Sequence, residues 1–167
     1  MHIIDEKFKH NKWQYIGQCF LAAVSIFIVL LFLDARSNSA IIASLGASFF
    51  IVFTMPETQA SSPRFLIGGY CVGIITGCIC YYLSIMPVFA QLPFIQAFSY
   101  EIFGACAVGV AIFVMVITDT EHPPAAGVAL GFVLNGYNLR TIAVVLIGII
   151  SLAVIKTGLK PVLKNLL

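Results

Sequence analysis

A short polar stretch between two apolar runs carries most of the residues whose side chains could do chemistry. Residues 118–127 read Thr-Asp-Thr-Glu-His-Pro-Pro-Ala-Ala-Gly, so acids, hydroxyls and an imidazole stand beside a proline pair. Proline lacks the N–H that a helix interior needs, but it is tolerated in the first turn of a helix. We therefore expect one helix to end near Thr118 and another to begin at Pro123 or Pro124.

The start of that second helix is a candidate anion site. A helix N-terminus is the positive end of the helix dipole and has N–H groups without intrahelical partners, which together favour a bound anion. The side chains predicted to bind it here are His122, Thr118 and Thr120. The alternative is a surface turn in which His122 is only solvated.

His122 is also expected to change charge near neutral pH. Unperturbed histidine has a pKa of about 6.5. The helix N-terminus favours the neutral ring, whereas Asp119 and Glu121 favour the imidazolium. Because protonation would place a positive charge beside the anion, we expect transport to rise as the pH falls through this range.

The composition is that of an integral membrane protein. Of the 167 residues, 60% are hydrophobic and 10% charged, whereas soluble domains carry about 25% charged residues. The basic residues cluster near the two ends, which indicates orientation in a lipid bilayer and no nucleic-acid partner. The five cysteines lie in apolar runs, where packing is expected rather than disulfides or a metal site. We predict no cofactor and no cleavable signal peptide.

Apolar runs alternate with polar breaks along the chain. The runs are residues 15–33, 40–55, 65–86, 100–118, 125–134 and 141–155, the last extending to 159 if Lys156 reaches the interface. A helix needs about 20 residues to cross a bilayer, so the second run, interrupted by Gly46, and the fifth are short. Residues 87–99 carry no charge and are predicted to lie at the interface. We expect one transmembrane domain over residues 15–160, between a cytoplasmic N-terminal segment, 1–14, and a cytoplasmic tail, 161–167.

The two halves of the chain have the same order of long, short and long runs. This predicts an all-α membrane protein of about six transmembrane elements in two three-element repeats, inverted if every element crosses. In the alternative, both short runs re-enter from one side and four elements cross. Each end carries three lysines, so both termini are predicted to be cytoplasmic. A ten-residue helix needs neighbours on all sides, which favours a bundle and a homo-oligomer.

Small and hydroxylated residues recur at helical spacing. Gly69, Gly73 and Gly77 give one helix a face without side chains, suited to close helix packing, or to a narrow pore or an oligomer seam. Ser44 and Ser48 are four residues apart on one face of the first short helix, where they either line a permeation path or bond to backbone carbonyls.

Two motifs in this order resemble the HPP family of integral membrane proteins. The first is Leu-Gly-Ala-Ser at 45–48, followed by Pro-Arg at 63–64 and Gly-Gly at 68–69, and the second is Thr-Glu-His-Pro-Pro-Ala-Ala-Gly at 120–127. The resemblance covers residues 31–152 and departs from the family pattern at position 126, where we expect Gly. The structural motif residues that it marks are Gly46, Pro63, Arg64, Pro123, Pro124 and Gly127. It implies a protein of the inner (plasma) membrane or of a plastid membrane, with nitrite as a substrate of some members. Some members carry C-terminal CBS domains; we expect none here and therefore no nucleotide regulation.

These observations favour a transporter or channel for a small inorganic anion, with nitrite first. No acid lies in the middle of a span to couple protons or sodium, and hydroxyls with helix N-termini suit an anion. The alternatives are a transporter of another small solute, a membrane enzyme using His122 with Asp119 and Glu121, and a membrane subunit without transport. We predict that the chain is not an enzyme, because no second His or Cys stands at ligand spacing.

Overall fold

Helices make up the fold. The structure, a computed structural model, describes residues 11–32 and 39–166, and no strand occurs within these ranges. The expectations for residues 1–10 and for residues 34–38 of the polar break 34–39 lie outside the described part. A 3₁₀ turn spans Gln59–Ser61. The α-helices are α1 (Lys12–Phe32), α2 (Ser39–Thr54), α3 (Pro63–Ile85), α4 (Pro87–Ala90), α5 (Pro93–Ala97), α6 (Ser99–Thr118), α7 (Pro123–Asn135) and α8 (Leu139–Gly158).

Four of these helices are long and apolar enough to cross a membrane, namely α1, α3, α6 and α8. The other two main helices are short, as expected: α2 has 16 residues and α7 has 13. At 1.5 Å per residue they measure about 24 and 20 Å, less than the roughly 30 Å hydrocarbon core. The expected interruption of α2 at Gly46 is wrong, because the helix runs through it. One glycine costs a helix only about 1 kcal/mol relative to alanine.

The main helices run alternately between two ends of the bundle. At the first end, Gln18 Nε2 donates to the carbonyls of Phe53 and Lys164, and the Leu166 N–H donates to the Thr54 carbonyl. We call this the terminal end, because the start of α1 and residues 162–166 meet there with the end of α2. At the opposite, distal end, the last turn of α3 meets Gly136, which follows α7 and lies against the Tyr81 ring.

The two short helices pack against each other inside the bundle. Gly127 of α7 lies against the Ser44 hydroxyl, and a Cβ at Gly131 would meet Ile41 at 2.7 Å, so α2 and α7 are antiparallel. The helix α7 also runs parallel to α3, on the glycine face predicted from the sequence. A Cβ at Gly77 would lie 2.7 Å from the Ala129 carbonyl oxygen, and a Cβ at Gly73 would lie even closer to the Ala125 carbonyl oxygen. The glycine face therefore serves close packing within the chain.

The outer surfaces of the bundle are apolar. On α1, Phe20 and Phe27 are exposed, and on α6, Phe113 and Ile117 are more than 60% exposed. An apolar surface of this extent requires lipid around it, so the chain is a multi-pass membrane protein in contact with the bilayer. The predicted interfacial segment forms α4 and α5 beside the distal end, where Phe89 packs edge-on against Phe103 of α6 with ring centroids 5.7 Å apart.

Candidate functional site

The connector between α6 and α7 turns the chain sharply and buries a histidine. Helix α6 ends at Thr118 and α7 begins at Pro123, as predicted. Asp119 takes the left-handed conformation, with φ of 52°, and the Thr120 N–H returns to the Met115 carbonyl at 3.0 Å. This is the hydrogen-bond pattern that closes many helices, usually with glycine in the left-handed position. The turn directs His122 into the bundle.

His122 is completely buried and bonded through both ring nitrogens. Its Nδ1 lies 2.9 Å from the Ala60 carbonyl oxygen in the 3₁₀ turn, and its Nε2 lies 2.7 Å from the Ser48 hydroxyl on α2. Because a carbonyl oxygen only accepts, Nδ1 carries a proton and donates to Ala60. In the neutral ring, Nε2 then accepts from the Ser48 hydroxyl. The imidazole thus joins the start of α7 to α2 and to the loop before α3.

Tyr70 of α3 extends these bonds into a chain. Its hydroxyl lies 2.8 Å from the Ser48 oxygen. If the Ser48 proton goes to His122, the tyrosine donates to Ser48, and the order of donation is Tyr70, Ser48, His122, Ala60. The Ser44 carbonyl, at 3.1 Å from the Ser48 hydroxyl, is the more distant acceptor. We call Tyr70, Ser48, His122 and the Ala60 carbonyl the buried polar chain, since all three of its side chains are 0% exposed.

Burial sets the charge of His122, which lies in a connector outside the spanning helices. Desolvation lowers its pKa from the usual 6.5 to about 4, and the hydrogen bond to Ala60 offsets only part of that. The ring is therefore neutral at physiological pH, and its Nε2 accepts from the Ser48 hydroxyl. The expected titration near neutral pH is wrong for this state, because burial outweighs the hydrogen bond to Ala60 and the Asp119 carboxylate pairs with Arg64.

The N-terminus of α7 offers fewer donors than the sequence suggested. Pro123 and Pro124 have no N–H, and the Ala125 N–H donates to the His122 carbonyl at 2.8 Å. The first three helical positions therefore leave no free N–H for an anion. The expectation of free N–H groups at this terminus is wrong, since the prolines remove two of them and a tight first turn uses the third. The His122 ring carries the side-chain donor at this terminus.

The predicted site residues fall into two groups. His122 and Ser48 are bonded to each other, and Ser44 lies one turn from Ser48, where its hydroxyl bonds back to the Ala40 carbonyl at 2.8 Å. Thr118 and Thr120 form a separate pair, with their hydroxyl oxygens 2.8 Å apart. Thr118 is exposed at the terminal end, so the structure places the threonines at the rim of the bundle.

The motif residues around the connector are structural in this state. Pro63 is the first residue of α3. Arg64 donates to the Thr118 carbonyl at 3.2 Å and pairs with the Asp119 carboxylate at 3.3 Å, with both side chains about two-thirds exposed. Asp119 thus faces Arg64 rather than the imidazole of His122. In the described ranges, no group of three His, Cys, Asp or Glu side chains is placed to hold a metal ion.

Sequence reasoning missed two members of the buried polar chain. Tyr70 carries a hydroxyl in the middle of an apolar span, and a buried tyrosine usually finds a partner for it, which was an available signal. Ala60 contributes only its backbone carbonyl, an acceptor that every residue type has and that the sequence therefore cannot indicate. Every buried side-chain nitrogen and oxygen in the described part has a hydrogen-bond partner.

Comparison with known proteins gives a family for the chain. A transmembrane protein of Dictyostelium discoideum is 28% identical over 120 residues, which cover 69% of this chain and 39% of that protein. This chain therefore spans about two-fifths of its curated relative. No solved structure matches it. Residues 6–165 match the family described as HPP, transmembrane region, which is nearly the whole chain. On that match, and on the two motifs that now meet around His122, the chain belongs to the HPP transmembrane family.

Proposed function

We propose that this chain transports a small monovalent anion across the membrane, with nitrite as the first candidate. The buried polar chain is the observation that carries the proposal. It lies where α2, α3 and α7 meet inside an otherwise apolar bundle. Polar groups buried inside an apolar membrane bundle are costly and often mark solute pathways. The proposal involves no catalytic step.

The order of the helices supports two inverted repeats and six crossings. If α1, α2 and α3 run up, down and up, then α6, α7 and α8 run down, up and down. The short helices α2 and α7 hold matching positions in the two halves. Inverted-repeat transporters place their sites between the halves, at short or interrupted helices. In this chain, the Ser48–His122 hydrogen bond crosses that boundary.

In this state the terminal end is closed between the halves. The bonds that connect the halves there include His122 to Ala60, Arg64 to Asp119, and Gln18 to Lys164. At the distal end, a contact of another kind joins the halves, the edge-on pair of the Tyr81 and Tyr137 rings, with centroids 5.6 Å apart. We propose that a rocking motion of the halves breaks the terminal-end bonds when the site opens toward that end.

Opening would turn the buried polar chain into a set of donors. Once His122 leaves the Ala60 carbonyl, its Nδ1–H is free to donate to an anion, together with the hydroxyls of Ser48 and Tyr70. Neutral donors can hold a monovalent anion without burying a lysine. Thr118 and Thr120 would contact the anion at the terminal-end rim, and Ser44 would line the next turn of α2.

The placement in the cell is also part of the proposal. The start of α1 and residues 162–166 lie at the same end, which fits both termini being cytoplasmic in a plasma (inner) membrane. The exposed apolar faces of α1 and α6 offer area for a homo-oligomer. The alternatives are transport of another small solute and a membrane subunit without transport.

Uptake by liposomes that carry the pure protein tests the proposal. Nitrite, nitrate, formate and chloride are compared at pH 7.5, where little nitrous acid forms to cross lipid unaided. We expect saturable uptake above protein-free liposomes, with nitrite preferred. A preference for a different solute supports the second candidate. Absence of uptake of every tested solute supports the subunit without transport.

A further inference from the structure

A polar crevice at the terminal end is separate from the buried polar chain. It has a volume of about 460 Å³ and lies between the loop before α3 and the last turn of α8. The loop residues that line the crevice lie on both sides of Ala60 in the sequence, and Ala60 bonds to His122. The loop therefore separates the crevice from His122. Its polar lining residues are Glu57, Thr58, Gln59, Ser62, Lys156 and Lys160.

Two lysines near the end of α8 line this crevice. Lys156 lies in the last turn of α8, and Lys160 lies in the turn that follows the helix. In the described part of the chain, neither ammonium has a carboxylate partner within salt-bridge distance. Because the ends of spanning helices lie at headgroup depth, both lysines are placed where phosphate groups are found.

Neutral donors stand on the opposite wall. Neither the Gln59 amide nor the Ser62 hydroxyl has a hydrogen-bond partner in the part of the chain that the structure describes, and Ser62 is the N-cap of α3 without capping it. The positive end of the α3 dipole is therefore next to the crevice. Thr58 does not contribute its proton, because its hydroxyl donates to the Met55 carbonyl at 2.8 Å.

The charge of the crevice stays positive when its acid is counted. Glu57 is exposed at the rim, and its carboxylate accepts from the Asn165 amide at 3.0 Å. Its backbone N–H bonds to the same side chain at 3.2 Å. One carboxylate that is held at the rim by Asn165 faces two ammonium groups, so the lining carries a net charge of +1, two lysines less one glutamate.

We propose that the crevice binds a phosphate group, with Lys156 and Lys160 as the charged donors and Gln59 and Ser62 as the neutral ones. A phosphate offers several strong acceptor oxygens, so it can bond to both walls at once, and the volume exceeds that of a three-atom anion. The phosphate belongs either to an anionic lipid headgroup or to a soluble ion. By joining α8 to the loop that holds His122, it would stabilise the closed terminal end. This site is independent of the transported anion.

The test measures protein stability rather than transport. Thermal unfolding of the detergent-solubilised protein is followed during titration with inorganic phosphate, with chloride at equal ionic strength as reference. The same measurement compares nanodiscs of phosphatidylglycerol with nanodiscs of phosphatidylcholine. Lys156→Gln with Lys160→Gln removes the site, and Lys164→Gln is the matched control, since Lys164 is exposed and does not line the crevice.

We expect phosphate, phosphatidylglycerol or both to stabilise the wild type and the Lys164→Gln control. In the double variant the apparent affinity should fall at least about tenfold, the loss expected from removing charge-assisted hydrogen bonds. A response to free phosphate assigns the site to a soluble ion, and a response to the lipid alone assigns it to a headgroup. Equal responses of all variants, or no response to either probe, would overturn the proposal. If the double variant does not fold, Lys160→Gln alone, at an exposed position, serves in its place.

Discussion

Replacing Ser48 with alanine should destabilise the protein far more than the same change at Ser44. Both are buried on one face of α2, but only Ser48 bonds to other helices. Ser48→Ala removes the proton that Nε2 of His122 accepts and the oxygen to which Tyr70 donates. Each buried group left without a partner costs about 1–3 kcal/mol in soluble proteins, and hydrogen bonds between membrane helices are worth less. We therefore expect a loss of about 2–4 kcal/mol in the free energy of unfolding.

Ser44→Ala is the matched control. The Ser44 hydroxyl bonds only to the Ala40 carbonyl one turn earlier, which keeps its own helical partner. We expect a change below about 0.5 kcal/mol. Equilibrium unfolding in mixed detergent micelles at pH 7.5 gives both values, after size-exclusion chromatography has shown that each variant is folded.

A double-mutant cycle with Tyr70→Phe identifies the cause. Tyr70→Phe alone should cost about 1 kcal/mol, since it removes one buried hydroxyl. The double variant Ser48→Ala/Tyr70→Phe should lose about 1 kcal/mol less stability than the sum of the two single losses. The reason is that it no longer contains the Tyr70 hydroxyl, which Ser48→Ala alone leaves without an acceptor. Strict additivity, or equal costs at Ser44 and Ser48, would refute the buried polar chain as a stabilising network.

Three further predictions address the packing, the pH dependence and the connector. Gly73→Ala should destabilise the protein by more than about 2 kcal/mol in unfolding experiments, because its Cβ would collide with the Ala125 backbone carbonyl. The control Gly46→Ala should be neutral or stabilising, since its Cβ meets no close atom. Equal effects of the two changes would contradict the α3–α7 contact. Since burial lowers the pKa of His122 to about 4, the unfolded chain binds more protons below pH 6.5, so stability falls by about 3 kcal/mol between pH 6.5 and 4. A His122→Gln variant, compared over the same pH range, should lack this contribution, and parallel pH profiles would speak against the neutral buried ring. Asp119→Asn should keep the left-handed turn but lose the ion pair with Arg64. Because the pair is exposed, thermal unfolding should show a loss of stability below about 1 kcal/mol. A greater loss would mean that the ion pair holds the terminal end closed.

The limits of the helices were readable from the sequence because apolar length and proline position set them. The proline pair starts α7 at Pro123, as predicted, and the spacing of Gly69, Gly73 and Gly77 predicts the face that packs closely. The short lengths of α2 and α7 also follow directly from the polar breaks.

The site was only partly readable, because its bonds join residues that are far apart in the chain. Ser48 and His122 are 74 residues apart, and the Ala60 carbonyl is an acceptor that every residue type offers. The prediction that His122 changes charge near neutral pH was wrong because its pKa depends on burial. The sequence places this histidine among hydrophilic neighbours, but the left-handed turn at Asp119 directs it into the bundle. Likewise, a proline pair marks a helix start but removes the donors that make such a start an anion site.

Nitrite uptake by proteoliposomes, with wild type and paired variants at equal protein content, tests the transport proposal most directly. The assay is run at pH 7.5, with protein-free liposomes subtracted. We expect uptake by the wild type, a strong loss in Ser48→Ala, and retained uptake in Gly46→Ala, where the structure leaves room for a methyl group. Wild-type uptake no greater than that of protein-free liposomes for nitrite, nitrate, formate and chloride would contradict the transport proposal.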